Sequence, residues 1–430
     1  MNRIPLSLLA LLLLVPAWGQ QEAAVPLTLE DALARAWAHQ PAMSEAAARA
    51  AGADAVAARS RASQRPQLRL DSRYAVTSEV PEVAVPLFNT AVALGEKTNW
   101  VTTLGASQVL YSGGRLEGAA RQADSLARAA EMTRARVNQQ VRFETTRAFY
   151  TLLAAQQERA AALQTLTAAQ KHLRAAQARL EARAAPRYDV LRAEVQVEEA
   201  RQELVRAESG LAVAHAAVLR ALGETQGRYQ AVDGATPAPM APPSVAQALA
   251  EAYGRRPELQ AAEWQLRAAE GAVQAAKGER RPTLSLAGEY QIASPQTPLH
   301  LTSWTAALFA GLPILDGGAA RAKLREAEAL RDQSAAARES LRVAIAAEVR
   351  AALARVESAH EQYAVAQKRL ALAEETRRIA DVRYREGVGT PVEVADAQSV
   401  LARARQGMTR AMTDWQIARA ELRYVMGTED

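Results

Sequence analysis

The sequence has 430 residues and a formal net charge of +5, from 52 basic and 47 acidic side chains. This small excess is interspersed with acidic residues, unlike the clustered positive charge of a nucleic-acid-binding protein. The chain has no cysteine. Disulfides, thiolate metal sites, cysteine nucleophiles and a lipid-modified N-terminal cysteine are therefore excluded.

Residues 1–19 have the pattern of a signal peptide. Arg3 supplies positive charge ahead of an apolar run from Leu6 to Val15, and Ala17-Trp18-Gly19 offers a cleavage site. The run is too short to span a bilayer as a helix, which disfavours the alternative of an N-terminal anchor. We therefore expect an exported chain that enters a membrane, if at all, through β-strands.

The rest of the chain is a tandem repeat. The segment RPQLRLDSRY (65–74) matches RPTLSLAGEY (281–290), 216 residues later, whereas Gly113-Gly114 matches Gly317-Gly318, 204 residues later. The difference predicts an insertion in the first copy, between Tyr74 and Gly113. The predicted domains are a first repeat at 20–223, a linker at 224–243 that is rich in Pro and Gly, and a second repeat at 244–430.

Each copy has the same predicted elements: a helix, two strands around a loop, a Gly-Gly pair, a very long helix and a final helix. In the first copy we expect helices at about 29–63, 115–182 and 187–222, and strands at about 67–78 and 99–111. In the second copy we expect helices at about 245–279, 319–386 and 391–426, and strands at about 283–293 and 303–315. Thr28 with Asp31, and Ser244 with Gln247, resemble capping boxes at the first helix of each copy.

The long helices carry apolar residues at near-heptad spacing, such as Val137, Val141, Phe149 and Leu152 in the first copy. Such a sustained pattern predicts coiled-coil packing. At 1.5 Å per residue each long helix would extend about 100 Å, and the two shorter helices of a copy would together match it. This agreement suggests helices arranged side by side in a bundle.

The strands alternate apolar and polar residues, are about nine to twelve residues long and carry aromatic residues such as Trp100 and Trp304 near their ends. This suits tilted transmembrane strands, but a soluble four-stranded sheet with one face on a core would have the same pattern. The signal peptide favours the membrane. Because a sheet in lipid cannot keep open edges, four such strands would require the chain to oligomerise.

Taken together, the duplicated order, the joints ASQVLYSGGR (106–115) and GLPILDGGAAR (311–321), and the hairpin YREGVGTPVEVADAQ (384–398) resemble the TolC-like outer membrane efflux proteins of Gram-negative bacteria. The resemblance extends from about Leu27 to Gly427. The fold class it implies is mainly α with a membrane β part. Three protomers would each give four strands to a twelve-stranded barrel in the outer-membrane lipid, continued by a periplasmic α-helical tunnel.

The function implied by this resemblance is that of a passive exit duct. A homotrimer would export solutes or proteins that an inner-membrane transporter drives through a periplasmic adaptor protein. A periplasmic coiled-coil adaptor or a structural protein without a channel is the alternative. An adaptor would have one helical hairpin between small β domains, whereas this chain has duplicated hairpins and only four strands.

The resemblance also implies a channel entrance at the hairpin tips, 183–189 and 386–393, narrowed by acidic residues. Glu393 and Asp396 occupy the acidic positions of the second tip, and Asp189 is the counterpart of Glu393 in the first. The alternative is that Asp189 and Glu393 only stabilise the first turn of a helix through its dipole. The expected adaptor-facing residues at the tips are Pro186, Tyr188, Gly387, Gly389 and Thr390, the first tip lacking the glycines of the second.

Gly113-Gly114 and Gly317-Gly318 are expected to form the joints between barrel and tunnel, where glycine permits positive φ. Any turn from a strand to a helix favours glycine, which is the simpler explanation. The five histidines are scattered without ligand spacing, and no catalytic or nucleotide-binding motif is present. We therefore expect no enzyme activity, no cofactor, no metal and no nucleic-acid partner.

Overall fold

The computed structural model describes residues 24–80, 82–85, 90–93, 97–184, 186–232, 242–294, 301–386 and 388–428. The fold is mainly helical. The helices are α1 (Leu29–His39), α2 (Pro41–Ala62), α3 (Arg115–Glu181), α4 (Arg187–Leu222), α5 (Val245–Arg255), α6 (Pro257–Gly278), α7 (Ala319–Arg385) and α8 (Pro391–Met426). The strands are β1 (Val25–Leu27), β2 (Gln67–Val76), β3 (Glu82–Val85), β4 (Thr90–Ala93), β5 (Thr98–Tyr111), β6 (Tyr229–Ala231), β7 (Thr283–Ser294) and β8 (Leu301–Gly311). The predicted signal peptide, residues 233–241 of the predicted linker and Gly387 lie outside the described residues.

The first helix of each copy, predicted as continuous over 29–63 and 245–279, is in fact two helices. Gln40 (φ −68°, ψ 115°) separates α1 from α2, and Arg256 (φ −66°, ψ 119°) separates α5 from α6. The cause is the proline that follows each of them, because its ring excludes the preceding residue from the helical region. The prediction of one helix was therefore wrong at the same position in both copies.

Helices α3 and α7 have 67 residues each, and α4 and α8 have 36 each. Each long helix packs on the helix that follows it through small apolar residues. Ala176 contacts Val190 and Ala193 between α3 and α4. Ala373 packs with Leu401 and Ala404 between α7 and α8. The equal lengths and similar seams show that the two copies share one helical architecture.

Four strands form an antiparallel sheet in the order β2-β5-β7-β8. Each copy contributes one hairpin, with Gln67 opposite Ser107 in the first and Thr283 opposite Gly311 in the second. β8 ends at Gly311 and not at 315 as predicted. Pro313 has no N–H to donate to a strand ladder, and its partner strand β7 also ends its pairing at Thr283.

Two short pairs of strands were not predicted. β3 pairs with β4 inside the insertion of the first copy, and β1 pairs in parallel with β6. β1 and β6 have three residues each. Strands of this length give too few alternations for a periodic pattern to be recognised.

The chain divides into two compact units. The first comprises the described residues within Met1–Gln40, Val141–Ala241 and Val356–Ala420, and it contains both turns between long helices. The second comprises those within Pro41–Gln140, Pro242–Arg355 and Glu421–Asp430, and it contains the four-stranded sheet. In the part of the chain that the structure describes, no helix is both long enough and apolar enough to cross a membrane.

Candidate functional site

The two joints between strand and helix share one backbone conformation. Gly113 and Gly114 have φ of 65° and 94°, and Gly317 and Gly318 have φ of 65° and 90°. These angles lie in the left-handed region that L side chains rarely adopt, so glycine is required at all four positions. The repeated Gly-Gly pair thus redirects the chain from the sheet into a long helix by the same geometry in both copies.

The surroundings of the two joints differ. A Cβ on Gly113 would lie 2.5 Å from Cβ of Arg281 and 2.8 Å from the carbonyl oxygen of Gly278. A Cβ on Gly317 would meet no described heavy atom within 4 Å. Gly113 is accordingly buried, whereas Gly317 is exposed. The first joint is therefore packed against the second copy, and the second joint is open.

A polar residue directly before each Gly-Gly pair caps the helix that follows. The Ser112 hydroxyl accepts a hydrogen bond from the Leu116 N–H at 3.1 Å. The Asp316 carboxylate accepts from the Ala320 N–H at 2.8 Å and the Gly318 N–H at 2.9 Å. These two backbone donors, Ala320 first, lower the pKa of Asp316 below its ordinary value. Sequence reasoning missed this role, although Ser and Asp are typical N-cap residues.

The first hairpin turn connects α3 to α4. Arg183 has φ of 56°, and its N–H donates to the Leu180 carbonyl at 2.9 Å. Pro186 precedes α4 as its N-cap without a capping side chain, and the Asp189 N–H donates to the Pro186 carbonyl at 3.1 Å. Asp189 is exposed in the first turn of α4, and the Tyr188 side chain beside it is 68% exposed. The predicted residues Pro186, Tyr188 and Asp189 thus share one turn.

The second hairpin turn connects α7 to α8 and closes differently. The N–H groups of Val388 and Gly389 both donate to the Arg383 carbonyl, at 3.0 and 2.9 Å. A Cβ on Gly389 would lie 3.0 Å from the Tyr384 nitrogen, so the turn is tight at this glycine. The Thr390 hydroxyl accepts from the Glu393 N–H at 3.2 Å and caps α8. Gly389, Thr390 and Glu393 are therefore brought together, whereas Gly387 is not described.

The three predicted acids have different electrostatic partners. Oε2 of Glu393 lies 3.6 Å from Nε of Arg383, and both side chains are about half exposed. Among the described residues, none forms an ion pair with Asp189 or Asp396. Asp189 and Glu393 lie in the first turn of their helices, where negative charge is favourable, as the helix-stabilising alternative requires. Asp396 lies beyond the first turn of α8, so stabilisation of the helix end explains its position least well.

Sequence reasoning did not predict that Arg383 pairs with Glu393. Arg383 is in the last turn of α7, and its guanidinium also donates to the Val388 carbonyl at 3.4 Å. The short turn was the feature of the sequence that could have indicated this pair, because it brings the end of one helix beside the start of the next. Part of the negative charge at this turn is thereby compensated.

No group of three or more histidine, aspartate or glutamate side chains within the described ranges is arranged to hold a metal ion. The geometry of these turns comprises helix caps, exposed acids and one exposed ion pair. Such an arrangement can present charge to solvent and to ions that pass by it.

Proteins that are similar in sequence include CyaE and OprJ. Protein CyaE of Bordetella pertussis is 28% identical over 88% of this chain and 80% of its own length. Outer membrane protein OprJ of Pseudomonas aeruginosa is 29% identical over 66% of this chain and 60% of its own length.

One solved structure illustrates the fold. The CmeC outer membrane channel of Campylobacter jejuni matches with a TM-score of 0.78 at 16% identity, over 93% of this chain and 85% of that one. The profile of the outer membrane efflux protein family matches residues 32–224 and 248–428, so both copies of the repeat are covered. The resemblance found in the sequence is thereby confirmed: the chain is an outer-membrane protein that belongs to the outer membrane efflux protein family.

Proposed function

We propose that the protein is the outer-membrane exit duct of a tripartite export system and works as a homotrimer. The observation that carries this proposal is the family match over both copies of a repeat whose helical hairpins follow directly from the sheet through Gly-Gly joints. The family consists of efflux channels and not of enzymes. The protein would accordingly have no catalytic activity and no cofactor.

The sheet would form the membrane part, with each protomer giving four strands to a twelve-stranded barrel. The exposed apolar residues of β2 and β8 support this assignment, Leu70 being 69% exposed and Trp304 76%. Outward-facing apolar side chains with aromatic residues toward the strand ends are typical of strands in contact with lipid. In a trimer the free edges of neighbouring sheets would also pair, because lipid does not tolerate the unpaired backbone groups of an open edge.

The helical part would lie in the periplasm and form the tunnel, and its hairpin turns would dock the periplasmic adaptor and the inner-membrane transporter. Exposed apolar side chains at both turns are available for contact with a partner and so support docking. Those residues are Tyr188, Leu191, Val388 and Val392. Pro186, Gly389 and Thr390 would set the shape of this surface, as would Gly387.

Asp189, Glu393 and Asp396 would form acidic rings at the entrance in the trimer. Asp396 lies three residues after Glu393 on α8, so the two side chains share a helix face. Threefold symmetry would repeat each acid around the axis, and rings of carboxylates favour cations in a pore. Because the positive charge of Arg383 offsets the negative charge of Glu393, Asp396 would contribute more than Glu393 to the preference for cations.

Planar-bilayer conductance tests this proposal. We expect purified protein to form channels that multivalent cations block, and we expect Asp396→Ala to weaken the block more than Glu393→Ala does. The matched control is Asp414→Ala, which removes an exposed acid from the same helix, away from the turn. Folded trimeric protein without conductance would refute the duct, whereas a block that neither substitution changes would leave Glu393 with its capping role alone.

A further inference from the structure

The segment that follows α4 folds back and forms a strap, defined here as residues 224–232. Its strand β6 pairs in parallel with β1. At the two ends of this pair the Val25 N–H donates to the Arg228 carbonyl at 2.8 Å, and the Val232 N–H donates to the Leu27 carbonyl at 2.9 Å. Because β1 leads into α1, the strap connects the end of α4 to the start of α1.

Side chains bond the other edge of β6. The N–H of Tyr229 donates to Nε2 of His215 on α4 at 2.8 Å. The side-chain amide of Gln156 on α3 exchanges two hydrogen bonds with the backbone of Ala231, both at 3.1 Å. The N–H groups that this three-residue strand directs away from β1 are therefore bonded by two side chains, and of these two only the histidine titrates near neutral pH.

The hydrogen bond to His215 requires a neutral ring. Because Nε2 accepts the Tyr229 N–H, it carries no proton, and the ring proton is on Nδ1. The two rings are also stacked, with centroids 6.4 Å apart and an angle of 23° between their planes. A charged imidazole has an N–H at both nitrogens and accepts no hydrogen bond. Protonation would therefore replace the hydrogen bond with two opposed N–H groups.

The surroundings of the ring disfavour its charged form. Burial first, and then the positive charge of Arg228, lower the pKa of His215 below its ordinary value. About two turns earlier on α4, the Glu208 carboxylate is paired with Arg159 of α3 at 3.3 Å. A charged His215 would therefore be repelled by the arginine of the strap, while this acid is engaged by another cation.

The acid within the strap also has partners. The Glu224 carboxylate accepts a hydrogen bond from the Tyr229 hydroxyl, and its Oε1 lies 3.6 Å from Nη1 of Arg35 and 4.0 Å from Nδ1 of His39. The Arg35 guanidinium donates to the Tyr229 hydroxyl at 3.1 Å. These contacts join the strap to α1 and place a second histidine beside it.

We propose that His215 is a pH-sensitive latch for the strap. The neutral ring holds β6 against α4, and protonation of the ring releases the strap from α4 and from β1. Release is local, because the Gln40 side chain keeps the end of α1 joined to α4 by donating to the carbonyls of Arg220 and Ala221 at 3.0 and 3.1 Å. No titratable group takes part in those two bonds. The latch goes beyond the proposed duct and does not depend on it.

The direction of the pH dependence follows from the lowered pKa. The latch is closed above the ordinary histidine pKa of about 6.5. It opens as the pH falls through the lower pKa that His215 has in the folded protein. Acid should therefore loosen the strap while the long helices stay folded.

Hydrogen–deuterium exchange with mass spectrometry tests the latch on the full-length protein in detergent. Peptides that cover the strap would be measured at pH 8 and at pH 5, and each exchange rate would be divided by the intrinsic rate at that pH. We expect the strap to lose protection at least several-fold at pH 5, whereas peptides from the middle of α4 keep theirs. Equal protection of the strap at both pH values would overturn the inference.

Two variants identify the titrating group. His215→Gln should keep the strap protected at both pH values, because an amide oxygen accepts the Tyr229 N–H regardless of pH. If glutamine does not hold the strap, protection should be low at both pH values, which also identifies His215 as the group that holds it. His39→Gln is the matched control and should leave the pH dependence unchanged. A dependence that persists in His215→Gln, or disappears in His39→Gln, would refute the latch.

Discussion

Asp316 occupies the position in the second copy that Ser112 occupies in the first, directly before the Gly-Gly pair. Ser112 caps α3 with a hydroxyl, and Asp316 caps α7 with a carboxylate that accepts two backbone hydrogen bonds. The two residues perform the same task at the same place in the order, but only the aspartate can titrate. The cap of α7 is therefore a carboxylate, whereas the cap of α3 is a hydroxyl that itself donates to the Glu117 carboxylate at 2.8 Å.

We expect Asp316→Asn to lower the thermal unfolding midpoint at neutral pH and to have little effect in acid. The folded-state pKa of Asp316 is below its ordinary value, so the carboxylate stabilises the fold above that ordinary value. This stabilisation is lost as the pH falls through the folded pKa, where the acid itself is neutral. Circular dichroism melts of both proteins from pH 7 to well below the ordinary pKa of aspartate would measure it, and a difference in midpoint that persists unchanged in acid would contradict it.

At the scale of elements, close helix packing depends on residues without side chains. A Cβ on Gly118 of α3 would overlap the backbone of α6, at 2.4 Å from the Ala275 nitrogen. Gly210 of α4 has no described heavy atom within 4 Å of the same position. There is therefore space for alanine at Gly210, whereas alanine at Gly118 would collide with α6.

We expect Gly118→Ala to destabilise the protein and Gly210→Ala to stabilise it. Alanine is favoured over glycine in a helix by about 1 kcal/mol, which Gly210→Ala should gain. At Gly118 the backbone of α6 must move, and overpacking of this kind costs about 1–3 kcal/mol. Thermal midpoints measured side by side would decide, and equal shifts in the same direction would refute the distinction.

The elements also show what sequence reasoning could and could not predict. Long helices such as α3 follow from sustained apolar periodicity, and the family was recognised by a resemblance in the duplicated order, the strand-to-helix joints and the second hairpin. The break at Gln40 was missed because periodicity continues across it, although Pro41 carried the signal. The Arg383–Glu393 pair could not be predicted, because it depends on how a turn closes and not on a spacing.

At the scale of the whole molecule, the two joints would differ in what they hold together. The first packs on Arg281 of its own chain, whereas in the second a Cβ on Gly317 would meet no described heavy atom within 4 Å. A substitution at the first joint would therefore disturb the fold of the protomer, whereas in the proposed homotrimer a substitution at the second joint would act mainly on assembly. The predicted Gly-Gly joints are alike in backbone and unlike in surroundings.

We expect Gly113→Ala to reduce the amount of folded protein, and Gly317→Ala to reduce trimers more than folded protomers. Both changes strain a positive φ, but only the first also collides with described atoms of its own chain. Size-exclusion chromatography with light scattering in detergent, alongside circular dichroism, would separate the two effects. Identical losses of folded protein and trimer in both variants would contradict the difference.

The two copies have equal helices and unequal loops. α3 matches α7 at 67 residues and α4 matches α8 at 36, whereas the whole difference between the copies lies between Tyr74 and Gly113. Since the duplication, net changes in length have thus persisted where the chain connects two strands and not along the helices. This loop is the natural place to insert an epitope or a fluorophore-binding tag, because chain length can change there without shifting any helix against its partner.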